Sequence, residues 1–388
     1  MASTPAQDLR VPHVSTIPAN AGQHVQLFVR EYDGTKPSHD PEPVLMLHGR
    51  SAPALAGFDL QYRHYSWAQD LAAAGYDVFV MDLQGNGRSP RPEMDNPCNT
   101  NPAQQQYLVP NPLAATCPPA YAHQLGNSQS EWDELRTVVE FVKRRRDVSQ
   151  VAFIGWSAAS FVMGPYTLQY PEDVRSLMLL APIFPPNGRA SRPGTDFGAP
   201  EPLPVSSPAA QFGYPMNISR KTDLRTAWDN ELHCPDQREP GMDEVVWSAI
   251  LDNDAVGRTW GQISGGVPEG IARFRNSYWW GWNNATVPLD GTLGTLLPVF
   301  IVYGEFDTQA NHPSSNPLTD FSVPALYQAV PGADKLMVRV SCAGHQMPWE
   351  TRAKTLQHMS REWLKHSALD GLKNGSYVLD MNDRYTPA

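Results

Sequence analysis

The sequence predicts an α/β protein: a doubly wound, mainly parallel sheet with an inserted lid. Three observations carry this. Short apolar runs such as Val44-Leu45-Met46-Leu47 read as strands buried on both faces, as parallel strands are. Such runs alternate with helix-length segments, the pattern of βαβ units. The alternation stops near Pro182 and resumes near Pro298.

Taken in order, His24 to Glu31 alternates polar and apolar residues and reads as the first strand; Val44 to Leu47 is the next. Tyr65 to Ala74 reads as a helix stopped by Gly75, and Asp77 to Met81 as another apolar strand. Residues 84 to 125 lose periodicity and fill with Pro, Asn and Gln. Glu131 to Arg146 reads as a helix. Its basic last turn, Lys143 to Arg146, suits the helix dipole and is read as a helix end rather than a nucleic-acid signal. Val151 to Ile154 is a strand, Ser157 to Tyr170 a helix and Arg175 to Ala181 a strand. Pro-rich loops follow, with helix-like pieces around Asp243 to Asp252 and Glu269 to Trp280. Strands return at Pro298 to Tyr303 and Leu336 to Val340, and a helix at Trp349 to His366. The reading is one core, residues 1–181 and 297–388, interrupted by a lid, residues 182–296.

Composition narrows the function classes. The chain has 388 residues, more than the ~150 typical of one domain, which accommodates a core plus an insertion. Charged residues are 18% and hydrophobic ones 41%, which argues against disorder. A formal net charge of -10 disfavours a nucleic-acid partner, because phosphate contacts need a basic face. No apolar run approaches the ~18 residues of a membrane span. The N-terminus, MASTPAQDLRVPHV, lacks a basic n-region and an apolar h-region. The protein is therefore expected to stay in the cytosol, or to have lost a signal peptide.

The 4 cysteines are too few for a disulfide-built scaffold. Cys98 and Cys117 flank a Pro/Asn/Gln-rich stretch; a loop-closing disulfide and two unrelated thiols are both open. That disulfide would point to an oxidising compartment. Cys234 and Cys342 are expected to be isolated, with Cys342 a buried thiol. No Cys/His spacing resembles a zinc site.

The chemistry concentrates after the predicted strands. Gly155-Trp156-Ser157-Ala158-Ala159 lies between a strand and a helix, a turn that projects a serine hydroxyl above the sheet. A serine hydroxyl needs a base, and a histidine base needs a carboxylate to hold its tautomer. Asp307 follows the strand ending at Tyr303, and His345 follows the strand ending at Val340. Both thus lie at carboxyl ends of strands, where open α/β sheets place their sites. Glu305 is the rival acid. His312, His358 and His366 are rival bases, the last two on a terminal helix. The backbone N–H groups of Ala158 and Arg50 are the expected oxyanion donors. His48 is expected to tie its loop down. The Arg50 side chain could meet a substrate anion or brace the loop against an acidic residue.

At these residues the chain resembles the α/β-hydrolase-fold enzymes over nearly its whole length. The resemblance rests on His48-Gly49, Asp82-Leu83-Gln84-Gly85-Asn86-Gly87-Arg88-Ser89, the Ser157 turn, Gly304 to Asp307 and Gly344-His345. Two residues depart from the family pattern: Ala159 stands for the usual second glycine, and Arg50 for a small or apolar residue. The resemblance implies a serine hydrolase working through an acyl-enzyme, and serine at 157 argues against chemistry that needs a carboxylate nucleophile. The leading expectation is an esterase for a small-molecule ester with a bulky hydrophobic part. Acyl transfer, amide or C–C hydrolysis, and a non-catalytic binding role are the alternatives. No metal or organic cofactor is called for. Tyr278, Trp279 and Trp280 are expected to line the pocket; Asn283 and Asn284 are read as loop hydrogen-bonding residues rather than polar anchors, and Trp156 and Trp349 as scaffold. Residues 90–121 are expected to form part of the pocket wall.

Overall fold

The computed structural model describes residues 5–36, 39–191, 197, 202–203, 212–283 and 291–388. Among them, ten strands form one sheet: β1 (Ala6–Val14), β2 (His24–Asp33), β3 (Pro43–Leu47), β4 (Asp77–Asp82), β5 (Val151–Trp156), β6 (Val174–Leu180), β7 (Val299–Gly304), β8 (Lys335–Val340), β9 (Gly375–Leu379) and β10 (Tyr385–Pro387). Their order is β1-β2-β4-β3-β5-β6-β7-β8-β9-β10. β4, β3 and β5 to β9 run parallel, while β1, β2 and β10 pair antiparallel at the two edges. Every residue of β3, β4, β5 and β7 is buried, which is why these strands are continuous apolar runs. The order reverses around β3: the chain goes to β4 on one side and returns to β5 on the other. The loops after β3 and β5 diverge there and leave a crevice at the carboxyl ends of the strands.

The helices are α1 (Ala54–Phe58), α2 (Trp67–Ala74), α3 (Ser128–Arg146), α4 (Ser160–Gln169), α5 (Lys221–Asp229), α6 (Met242–Leu251), α7 (Val323–Ala329) and α8 (Ala353–His366). Buried tryptophans pin two helix pairs. Trp67 Nε1 of α2 donates to Ser360 Oγ of α8 at 2.8 Å, and Trp132 Nε1 of α3 donates to Phe161 O of α4 at 3.0 Å. The basic end of α3 is a structural clamp: Arg145 and Arg146 both bond to the buried carboxylate of Glu31 on β2. No helix among the described residues is long and apolar enough to cross a membrane.

Between β6 and β7 lie α5, α6 and short strands. Met216–Ser219 pairs antiparallel with Ala272–Arg275, and Ser277–Tyr278 pairs parallel with Gly126–Asn127. The expected helix at Glu269 to Trp280 is therefore wrong. Arg273 and Arg275 are buried as ion pairs with Asp254 and Glu131, so charged residues occupy inward positions and mask the strand's alternation. Residues 94–125 share a satellite apolar cluster with this insertion: Met94, Leu108, Leu113 and Leu125 join Met216, Ile218, Trp260 and Ile271.

The cysteines form two disulfides, Cys98–Cys117 and Cys234–Cys342. The second corrects the expectation of isolated thiols. Its partners are 108 residues apart, and only the docking of the insertion beside the end of β8 brings them to a Cα separation of 5.7 Å.

Candidate active site

Ser157 opens a short helical turn, Ser157–Ala159, between β5 and α4. Its φ of 59° lies in the left-handed region that non-glycine residues seldom adopt, and such strain clusters at functional sites. The turn is tied to the chain after β6: Ser160 Oγ lies 2.9 Å from Ser157 O and 2.7 Å from Ile183 O. Gly49 passes so close that a methyl group on it would stand 3.1 Å from Ser157 Cβ and 3.3 Å from Trp156 O. Ala159 is accommodated in place of the family's glycine because Gly155 faces it; a methyl group on Gly155 would lie 3.2 Å from Ala159 Cβ.

The loop after β3 is held by its own neighbours. Burial, then the charge of Arg275, push the His48 pKa down to about 3, so the ring is neutral. Its Nδ1–H donates to Gly49 O, and Nε2 accepts from Leu83 N at 3.3 Å. Asn86 Nδ2 donates to Arg50 O at 3.1 Å. The Asp82-to-Ser89 motif is scaffold: Asp82 accepts Ala54 N–H at 2.8 Å and Arg88 N–H at 2.9 Å, fastening the turns after β3 and β4 together. At Gly87, φ is 49° and a Cβ would fall 1.9 Å from Asp82 Oδ2, so only glycine fits.

Asp307 and His345 meet at the ends of β7 and β8. His345 Nδ1 lies 3.0 Å from Asp307 Oδ2 and 3.1 Å from Oδ1, with the Asp307 side chain fully buried. Asp307 Oδ1 also accepts the N–H groups of Gln309 and Ala310 at 3.0 and 2.7 Å, which fixes its orientation. Burial disfavours the His345 cation, but the Asp307 carboxylate and the charges of Glu231 and Glu350 hold its pKa above the ordinary histidine value. Glu305 is exposed and accepts Cys342 N–H at 3.2 Å, away from the imidazole. His312 and His366 are exposed, and His358 stands 3.6 Å from Asp370, so none of the rival histidines joins Asp307.

Glu231, just past α5, has no precedent in the sequence reading. It is fully buried. Its Oε2 accepts His345 N–H at 2.7 Å, and its Oε1 accepts Thr308 N–H and Thr308 Oγ1–H, both at 2.9 Å. One carboxylate from the insertion thus grips the loops that carry Asp307 and His345. Three residues on, Cys234 is crosslinked to Cys342 of the His345 loop. Glu350 accepts Gly344 N–H and Trp228 Nε1–H, both at 2.9 Å, and burial pushes its pKa up to about 7. Glu231 belongs to no local motif; only the Cys234–Cys342 pairing could have directed attention there.

Ser157, His345, Arg50 and Ala158 all line one cavity of about 580 Å³. Tyr278 and Trp279 line it, Trp279 stacked on Phe161 with ring centroids 4.9 Å apart. Trp280 does not. It is buried against Trp132, with ring centroids 5.6 Å apart. Trp156 and Trp349 brace the site, Trp156 Nε1 donating to His345 O at 3.1 Å and Trp349 Nε1 to Ala56 O at 2.8 Å, and both also border the cavity. Asn283 Nδ2 bonds to Gly188 O at 2.7 Å as a loop tie; Asn284 lies outside the described residues. Of residues 90–121, Asn101 reaches the cavity wall.

The family model described as alpha/beta hydrolase fold matches residues 42–351. A search of curated proteins finds no match. Similar solved structures include an esterase from Thermogutta terrifontis, at 16% identity and TM-score 0.46, covering 92% of this chain and 98% of that one. Another is 2-hydroxy-6-oxo-6-phenylhexa-2,4-dienoate hydrolase from Rhodococcus sp. strain RHA1, at 15% identity and TM-score 0.46, covering 92% and 99%. A third is naproxen esterase from Bacillus subtilis, at 12% identity and TM-score 0.43, covering 92% of each chain. The match of the family model across most of the chain, on a sheet of this order, makes the protein a member of the α/β-hydrolase fold family.

Proposed function

We propose that the protein is a serine hydrolase that cleaves a carboxylic ester with a bulky hydrophobic part through an acyl-enzyme. Ser157 Oγ attacks the ester carbonyl while His345 takes its proton and then returns it to the leaving alcohol. Water repeats the sequence on the acyl-enzyme and releases the acid. Asp307 holds the His345 tautomer with the proton on Nδ1 and stabilises the imidazolium. The N–H groups of Arg50 and Ala158 receive the developing oxyanion. Residues 182–296 form the lid, and its aromatic wall takes the hydrophobic part of the ester. The observation that carries this reading is the buried Asp307–His345 pair at 3.0 Å, sharing one cavity with a serine held at positive φ.

A series of p-nitrophenyl esters from acetate to decanoate, hydrolysed by wild type and Ser157→Ala, tests it. The expected result is wild-type turnover reduced on the order of 10⁴-fold or more in the variant with its fold intact. Turnover that survives Ser157→Ala would sink the nucleophile assignment. The two disulfides support maturation in an oxidising compartment. Mass measurement with and without reductant and alkylation checks this; four free thiols in native protein would overturn it.

A further inference from the structure

The cavity beside Ser157 is cationic. Among the described residues that line it there is no aspartate or glutamate, yet Arg50, Arg189 and His345 are present, in a chain of net charge -10. Arg189 is engaged: its Nη2 donates to Pro202 O at 2.8 Å and its guanidinium stands over the Tyr278 ring. The Arg50 side chain, exposed to the cavity, has neither a hydrogen-bond acceptor nor an ion-pair partner among the described residues. Its surroundings are aromatic, with Cζ 5.5 Å from the Phe274 ring and 5.9 Å from the Trp279 ring. Glu131, the acid that bears on it electrostatically, already binds Arg275, Ser277 and Trp279.

A guanidinium laid against aromatic faces keeps its in-plane N–H groups available, and they match a carboxylate bidentately. It is weakly hydrated, so an anion displaces its water at modest cost. One unpaired cation in apolar surroundings suits a single negative charge; a phosphate's second charge would stay uncompensated. Gly49 packs on the Ser157 turn, so Arg50 follows directly a residue in contact with the nucleophile and lines the same cavity.

We propose that Arg50 binds a carboxylate on the substrate, so that the ester cleaved is a monoanion: a dicarboxylic half-ester, or an ester of a carboxylate-bearing alcohol or phenol. This rests on the ester-hydrolase reading above. Two pairs, each a carboxylate and its methyl ester, test it. Mono-4-nitrophenyl glutarate against its methyl diester puts the charge on the acyl side; 4-acetoxybenzoate against methyl 4-acetoxybenzoate puts it on the alcohol side. Wild type is expected to favour the charged member of one pair by roughly 10- to 100-fold in kcat/KM, and that pair identifies the side. Arg50→Gln should bring the ratio to about 1 and Arg50→Lys should restore part of it. Taking the ratio within each variant cancels any disturbance of the backbone donor at residue 50. A wild-type ratio near one for both pairs, or a ratio that survives Arg50→Gln, overturns the proposal. Calorimetry on folded Ser157→Ala separates this from the activity itself, with monomethyl glutarate against dimethyl glutarate and benzoate against methyl benzoate. A preference for an anion, lost in Ser157→Ala/Arg50→Gln, upholds the site even if no ester turns over; no preference overturns it.

Discussion

Ser157 and the Gly49–Arg50 loop are held by groups close to the sheet, namely His48, Asn86, Ser160 and Ile183, whereas Asp307 and His345 are gripped by Glu231 and a disulfide from the insertion. The first half of the site is therefore a product of local packing. The second half has its register set by a segment more than seventy residues away in sequence. The segment between β6 and β7 therefore does more than wall the cavity. Its contacts hold the Asp307 and His345 loops, so damage to it should reach the proposed chemistry without touching Ser157.

The largest effect sharpens the second half. Asp307→Asn should lower kcat/KM by roughly 10³- to 10⁴-fold through loss of the correct tautomer. Glu305→Gln should stay within about threefold, as an exposed side chain off the imidazole. Comparable losses from the two would break the assignment of the acid.

Glu231→Leu comes next. It leaves four donors on the Asp307 and His345 loops without that acceptor, and kcat should fall by about 10- to 100-fold while circular dichroism still reports a folded chain. Glu231→Gln, which retains one acceptor oxygen, should recover part of it. The pH profile gives a second readout. In the proposed mechanism His345 must be neutral to act as base; burial lowers its pKa, but Asp307, Glu231 and Glu350 outweigh that and hold it above the ordinary histidine value. Wild-type kcat/KM should therefore fall on acidification with a midpoint above the ordinary histidine value. Removing the Glu231 charge should move that midpoint to lower pH. A limb that stays in place would reduce Glu231 to a geometric role.

The disulfides probe the same contrast through stability. In the chain-entropy account, a crosslink spanning 108 residues constrains the unfolded chain more than one spanning 19, by about 1–2 kcal/mol. Chemical denaturation of Cys234→Ser/Cys342→Ser and Cys98→Ser/Cys117→Ser should rank in that order. Only the first should also depress turnover. The reverse pattern would detach the insertion from the base loop.

The smallest effect tests the local half. Gly49→Ala puts a methyl group 3.1 Å from Ser157 Cβ, so the nucleophile must yield by a few tenths of an ångström. A roughly three- to tenfold fall in kcat with little change in Tm is expected. An unchanged kcat would mean that the Ser157 turn is less closely packed than it looks.

Strands β3 to β8 and helices α2, α3, α4 and α8 were legible in the amino-acid sequence. Parallel strands buried on both faces are written as continuous apolar runs, and amphipathic helices repeat every 3.6 residues. So were Ser157, Asp307 and His345, because each follows such a strand directly. The edge strands β1 and β10, and β9 beside the second of them, were missed, since partly exposed strands lack apolar runs. The strand at Ala272–Arg275 was misread because buried arginines paired with Asp254 and Glu131 stand where apolar residues would have marked it. Trp280 was placed in the pocket because composition counts aromatic residues but cannot say which face each one takes. The sequence by itself determined the fold and the order of the chemical groups, since both are encoded over a few residues by periodicity and turn type. The tertiary structure alone decided that Cys234 meets Cys342, that Glu231 grips the Asp307 and His345 loops, and that Arg50 faces the cavity with no acid beside it among the described residues. Those outcomes depend on how a long insertion packs across the sheet, and no local pattern carries that information.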